Sequence, residues 1–204
     1  NDDDENLSLD LTDAVSVEDA DGDPVNLPAG TIVVEVENDI PTLAVRPQPI
    51  TAMVEEDGLS TASGDAGDLS EGNRQGGDTT ADDEASGASG SLSTLFNAGA
   101  DEPLTIKISS DASALATLPT LYSKGDAVTY SVAGNVLIAT ADDGGPNERV
   151  VFRLTVNTNG SWTFDLEDQL DHVDNGLNDE NVSLVTSGGP INAIDFSSII
   201  VGVD

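Results

Sequence analysis

Apolar and polar residues alternate in short runs through the second half of the chain. Leu104, Ile106 and Ile108 are separated by Thr105 and Lys107, and Val128, Tyr130 and Val132 by Thr129 and Ser131. A period of two puts the apolar side chains on one face of a strand. Ala133-Gly134-Asn135 turns the chain, so 136–139 is predicted to return as a hairpin partner. The clearest hairpin joins 150–156 to 161–167 through Asn157-Thr158-Asn159-Gly160, whose Asn-Gly step supplies the positive φ of a tight turn. Val150, Phe152, Leu154 and Val156 are predicted to share one face, matched by Trp162, Phe164 and Leu166 on the return strand. Val182 and Leu184, then Ile191, Ile194 and Phe196, then 199–203 add further strands.

The first forty residues carry the same signature more weakly. Leu7, Leu9 and Leu11 alternate with Ser8 and Asp10, Val15 and Val17 continue, and Ile32, Val34 and Val36 alternate across 31–37 as a half-buried strand. Residues 42–57 begin another strand, punctuated by Pro47 and Pro49. From 58 to 90 the chain turns to Gly, Ser, Asp, Thr and Ala, which reads as a long loop. No window sustains a 3.6-residue apolar period. Short strands with Gly- and Asp-rich turns give an all-β chain, an antiparallel β-sandwich with long acidic loops. Its core is predicted to be aliphatic, with Trp162 and Phe164 at the centre.

Charge narrows the partners. The 204 residues include 39 Asp and Glu against 6 Lys and Arg, a formal net charge of −33. Nucleic acid and anionic membranes would be repelled by such a surface, and cations attracted. There is no cysteine, so neither a disulfide nor a thiolate metal site braces the fold. No apolar run approaches the 18 residues or so that span a bilayer, and no basic-then-apolar leader opens the chain. Export and anchoring are therefore expected to be encoded elsewhere in a longer parent protein.

The acids gather at points where metal would be useful. Asp19, Asp21 and Asp23 alternate around Gly22, then 31–37 forms a strand that ends in Glu37-Asn38-Asp39-Ile40-Pro41. Several hard oxygens aimed at one point suit Ca²⁺ and otherwise repel one another. An EF-hand is excluded, because Gly22 is fourth in the loop and strands flank it. A calcium loop at a sandwich edge and a solvated acidic turn are the two readings. Further calcium candidates are Glu55-Glu56-Asp57, Asp101-Glu102, Asp142-Asp143 and the loop 171–180. His172, the only histidine, lies beside Asp171, but no nucleophile elbow, phosphate-binding glycine loop or zinc pair accompanies it. It reads as a turn residue, and the chain as no enzyme.

An internal echo bears on domain organisation. Residues 194–204 resemble 9–19, with Asp195 lying 185 positions after Asp10 and Asp204 the same distance after Asp19. Tandem repeats cut out of register would produce this. Residues 1–40 then supply the terminal strands and calcium loop of one repeat, and 41–204 the sandwich body carrying the 58–90 loop. Residues 7–40 are expected to pack on that body, against the hairpin at 150–167.

Several pieces together resemble a known repeat: Asp10-Leu11-Thr12-Asp13 through Asp19-Ala20-Asp21-Gly22-Asp23, the 31–37 strand, Asn38-Asp39-Ile40-Pro41, Gly160-Ser161-Trp162-Thr163-Phe164 and Gln169-Leu170-Asp171-His172. They look like the type I secretion target repeat of giant bacterial RTX adhesins, over most of the chain outside 60–90. The Gly-Gly-x-Gly-x-Asp nonapeptides of the RTX β-roll are missing. The resemblance implies an Ig-like or cadherin-like sandwich, secreted to the bacterial surface and stabilised by Ca²⁺. Strung in tandem with neighbouring repeats, it would project binding domains for adhesion and biofilm formation. The alternative is a module of the same adhesin that binds a cell-surface peptide or glycan through the 58–90 loop.

Overall fold

The computed structural model describes residues 7–18, 20–36, 41–61, 67–72, 82–99, 103–174 and 183–203. Fourteen strands and one helical turn follow in chain order. They are β1 (Leu7–Asp10), β2 (Val17–Glu18), β3 (Pro24–Val25), β4 (Val33–Val36), β5 (Thr42–Leu43), β6 (Glu84–Gly87), β7 (Phe96–Asn97), β8 (Thr105–Ile108), the helical turn α1 (Ala112–Leu115), β9 (Tyr122–Ser123), β10 (Asp126–Ala133), β11 (Val136–Ala141), β12 (Arg149–Val156), β13 (Trp162–Leu166) and β14 (Ile200–Val203). The chain is thus nearly all β, and its ladders are antiparallel.

The main sheet has six strands in the order β6-β13-β12-β11-β10-β9. Five of them form a meander, as short turns between alternating strands dictate. Both predicted hairpins are present, with Tyr130 opposite Ala139 and Leu154 opposite Phe164, and Gly160 takes φ +77° in its turn. One face of this sheet carries Val128, Leu137, Ala139, Leu154, Val156 and Leu166, all buried. Ile106 and Ile108 of β8, Ile199, Leu121 and Leu92 complete the core. β8 pairs with β14 along one edge. Its other edge is tied to two turns of the main sheet, by Ile106 N–H to the Thr158 carbonyl (3.1 Å) and by the Asn135 amide to Ile106 and Ile108.

Three expectations are corrected by packing. The centre of the core is Phe152, fully buried and in ring contact with Tyr130, Phe164 and Phe196, whereas Phe164 is half-buried. Trp162 is buried in the core as expected, at its β6 side, where a Cβ on Gly87 would stand 2.0 Å from the indole Nε1. Second, Val150 leaves the face of Phe152, because a bulge at Val151 shifts the β11–β12 register between Ala139 and Thr140. Third, the segment read as one long loop contains β6 and the buried Leu59 and Asp68. Toward the C-terminus, Leu184 and Ile191 form an isolated bridge and 194–196 is irregular, so among the described residues after 183 only Ile200–Val203 is a strand. Val182 lies outside the described residues.

Residues 7–36 fold locally. β1 pairs with β4 and β2 with β3, but every residue of these four strands is exposed and none joins the core. The expected burial of this segment against the 150–167 hairpin has no counterpart among the described residues. Two-stranded ladders of this length carry little stability of their own. Phe152→Ala should therefore cost about 3–5 kcal/mol in urea unfolding followed by Trp162 fluorescence. Leu7→Ser, at a side chain 58% exposed, should stay within about 0.5 kcal/mol of the parent chain.

Candidate functional site

The bulge has a chemical consequence. By placing Arg149 opposite Ala141, it turns that side chain onto the buried face at the end of the sheet. There Arg149 Nε reaches Asp168 Oδ2 at 2.8 Å, and Lys124 Nζ reaches Asp168 Oδ1 at 2.7 Å. Asp168 is fully buried and also accepts from Ser70 Oγ and, at 3.0 Å, from the Gln169 N–H. The rest of the Arg149 fork holds Asp126 Oδ2 at 2.9 Å and the Ser123 carbonyl at 2.5 Å. Next to this, Arg153 Nε meets Glu167 Oε1 at 2.5 Å. Three of the four Lys or Arg ion pairs among the described residues fall in the Asp168 cluster, and the Arg153–Glu167 pair lies on the other face of the sheet.

The electrostatics follow from the partners. Burial alone would raise the Asp168 carboxyl, but the Lys124 and Ser70 hydrogen bonds and the Lys124 charge outweigh it, and the net shift is downward. Burial likewise opposes the charge on Arg149, and the Asp126 and Asp168 carboxylates raise it above its ordinary value. Tyr130, away from the cluster, is raised by burial, and its hydroxyl donates to the Pro119 carbonyl at 2.7 Å. A buried carboxylate with two cations and satisfied oxygens is a structural tie rather than a proton donor.

The residues singled out as calcium candidates are distributed as follows. Asp21 and Asp23 lie exposed in the turn between β2 and β3, flanked by strands as expected. Glu56 starts a 3-10 turn, and its Oε1 accepts the Leu170 N–H at 2.7 Å and stands 3.3 Å from His172 Nε2. Asp57 is half-buried in the same turn. Asp142, at φ +52°, accepts the Asn147 N–H at 2.8 Å and so caps the β11–β12 turn. Asp19, Glu37, Asn38, Asp39 and Asp101 lie outside the described residues. Among the described residues, no group of three or more His, Cys, Asp or Glu is close enough to hold a metal ion.

A different gathering of acids does occur. The 3-10 turn at Glu56, the 67–72 segment, the lead into β6 and the end of β13 converge, through Glu55 N–H to the Asp82 carbonyl and Leu69 N–H to the Glu167 carbonyl. Glu84 lies opposite Asp165 across the β6–β13 ladder, beside a shallow furrow of about 300 Å³ lined also by Asp82, Ser86 and Thr163. Like charges in register cost stability unless something screens them.

Residues 53–195 match a family described as a domain of unknown function, DUF5801. The chain belongs to that family. No curated protein and no solved structure matches it. The DUF5801 span takes in all six strands of the main sheet, β8 and the Asp168 cluster, and leaves β1–β5 and β14 outside it. The cluster thus sits within the shared domain.

Attention to acids alone misses Asp168, Lys124 and Arg149. The signal lay in the scarce class: with six basic residues in the chain, each one's position is informative. The 157–160 turn sets Val156 against Trp162, and that register carries Arg153 opposite Asp165, whereas Arg149 reaches Asp168 through the bulge. Arg149→Met should cost about 3–5 kcal/mol, because it strands a buried carboxylate. The Asp168 carboxyl is lower folded than unfolded, so its contribution is full above about pH 4 and is lost as pH falls through the folded value. Asp168→Asn should accordingly flatten the acid limb of a stability–pH profile measured by urea unfolding.

Proposed function

We propose that the chain is a calcium-stabilised structural module of a large secreted RTX adhesin. It would act as an extender between neighbouring repeats at a bacterial surface, holding ligand-binding domains away from the cell for adhesion and biofilm formation. The finer fold reading is an Ig-like or cadherin-like antiparallel β-sandwich, in which β8 and β14 belong to the layer facing the main sheet.

One observation carries the proposal. Three of the six Lys and Arg are committed to carboxylates within the fold, while the chain holds 39 Asp and Glu. Beyond Lys124, Arg149 and Arg153, the described residues offer only Arg46 and Lys107 as Lys or Arg. Screening the remaining acids falls to ions from solution, and divalent ones do so at the lowest entropic cost per charge. Calcium fits the donors at the β2–β3 turn, where Asp21 and Asp23 present oxygens only. Glu56 and Asp142 are already backbone acceptors, which makes their role in the proposal secondary.

The ligand-binding alternative is less favoured, because parts of 58–90 serve the body. Leu59 is in the core, Asp68 accepts the Ser60 N–H at 2.6 Å, and β6 completes the sheet.

Thermal unfolding in Ca²⁺, in EDTA, and in Mg²⁺ at matched ionic strength tests the proposal. Extracellular calcium modules bind at about 10⁻⁴–10⁻³ M, so about tenfold excess should add roughly 1.4 kcal/mol per site. Melting should rise in Ca²⁺ beyond its value in Mg²⁺, and Asp21→Asn with Asp23→Asn should remove part of that increment. A melting temperature equal in all three buffers would overturn the calcium reading.

A further inference from the structure

We propose that residues 192–203 form a docking surface for a second copy of this chain's own 24–36 segment. The two ends of the chain contain the same device. Asp10 Oδ1 accepts the Thr12 N–H at 2.9 Å ahead of a 3-10 turn, Thr12–Ala14; Asp195 Oδ1 accepts the Ser197 N–H at 2.9 Å ahead of Ser197–Ile199. The intervening residues match in backbone, Leu11 at φ −97°, ψ 9° and Phe196 at φ −98°, ψ 4°. Both turns lead into extended residues, Val15 at φ −118°, ψ 120° and Ile200 at φ −91°, ψ 124°. Every equivalence has the same spacing of 185 residues, so sequence and conformation repeat together.

Occupancy is what differs. At the first device, Asp10 Oδ2 accepts the Gly30 N–H at 3.0 Å, and Thr12 Oγ1 accepts the Thr31 and Ile32 N–H groups at 3.0 and 3.2 Å. Leu11 N–H donates to the Ile32 carbonyl at 2.8 Å, β4 pairs with β1, and β3 pairs with β2. Thr12 is buried as a result. At the second device, Ser197 is exposed, and among the described residues β8 is the one strand paired with β14. The far edge of β8 is closed by Asn135 and Thr158. Among the described residues this small sheet can therefore grow only on the β14 side, where 192–195 and 202–203 stand at the positions that β1 and β2 take in the first device.

The occupant follows from the filled example. Segment 24–36 carries the three N–H groups that the Asp10–Thr12 device receives, together with strands in register for both of its ladders. A second copy would hydrogen-bond to Asp195 and Ser197 in the same way and extend the β8–β14 pair by one strand. This goes beyond the calcium proposal and does not rest on it.

The test is the full chain extended after Asp204 by a second copy of residues 20–40, which preserves the 185-residue spacing. Fusion makes the docking intramolecular, so amide exchange across 195–203 should slow at least about tenfold against the unextended chain and against a scrambled extension. Gly30→Pro in the appended copy removes one donor and forbids the φ of +78° that the turn takes there, without touching the body, and it should restore the faster exchange; so should Ser197→Ala. Equal rates with native-order and scrambled extensions would overturn the proposal, as would slowing that survives both substitutions. Running each arm in EDTA and in Ca²⁺ keeps the two proposals apart. Slowing in either buffer supports docking, whereas melting indifferent to Ca²⁺ counts only against the calcium reading.

Discussion

The structure depends on how a polypeptide this acidic spends its positive charge. Coulomb repulsion among surface carboxylates is softened by water and salt, but nothing softens a bare carboxylate in the interior. Asp168 is such a carboxylate, and Lys124 and Arg149 are brought to it from the β9–β10 turn and the first residue of β12. Ser70 joins from a segment nearly a hundred residues earlier. Three stretches distant in sequence are pinned at one end of the main sheet, while β8 is pinned across the other end through Asn135 and Thr158. Between these two polar ties lies an apolar core centred on Phe152.

The strands were legible where alternation and turn chemistry agreed, as in β10–β11 and β12–β13 around Asn-Gly and Gly-Asn steps. The bulge was not, because one extra residue inside a run of Val, Val, Phe, Arg, Leu, Thr and Val leaves the alternation looking unbroken. β6 was hidden for another reason: Glu-Ala-Ser-Gly has almost no apolar signal, and it is a strand because Trp162 needs a neighbour without a side chain. Size marked Trp162 as a core residue, which it is, but Phe152 rather than Trp162 lies at the centre. Across 7–36 the alternation marked β1, β2 and β4, whose side chains are exposed, since alternation describes a face but not what covers it.

The candidate site divides along similar lines. Abundant residues are poor markers: 39 acids offer many plausible clusters, and none of three or more is assembled among the described residues. Glu56 and Asp142 hold backbone N–H groups, a role that sequence alone cannot separate from holding an ion. The Asp-x-Thr and Asp-x-Ser turns are the opposite case. Loosely similar as letters, they become nearly superimposable as torsion angles, and the likeness exposes one filled and one open version of a single joint.

The outermost strand of the main sheet has a bearing on life in a crowd. β6 presents Glu84 and Ser86 to solvent beside Asp82, so its outer margin, which no strand among the described residues pairs, is bordered by negative charge. Two such margins brought together would repel before their backbones could zip into a shared ribbon. At high concentration such molecules would therefore resist joining edge to edge into fibre.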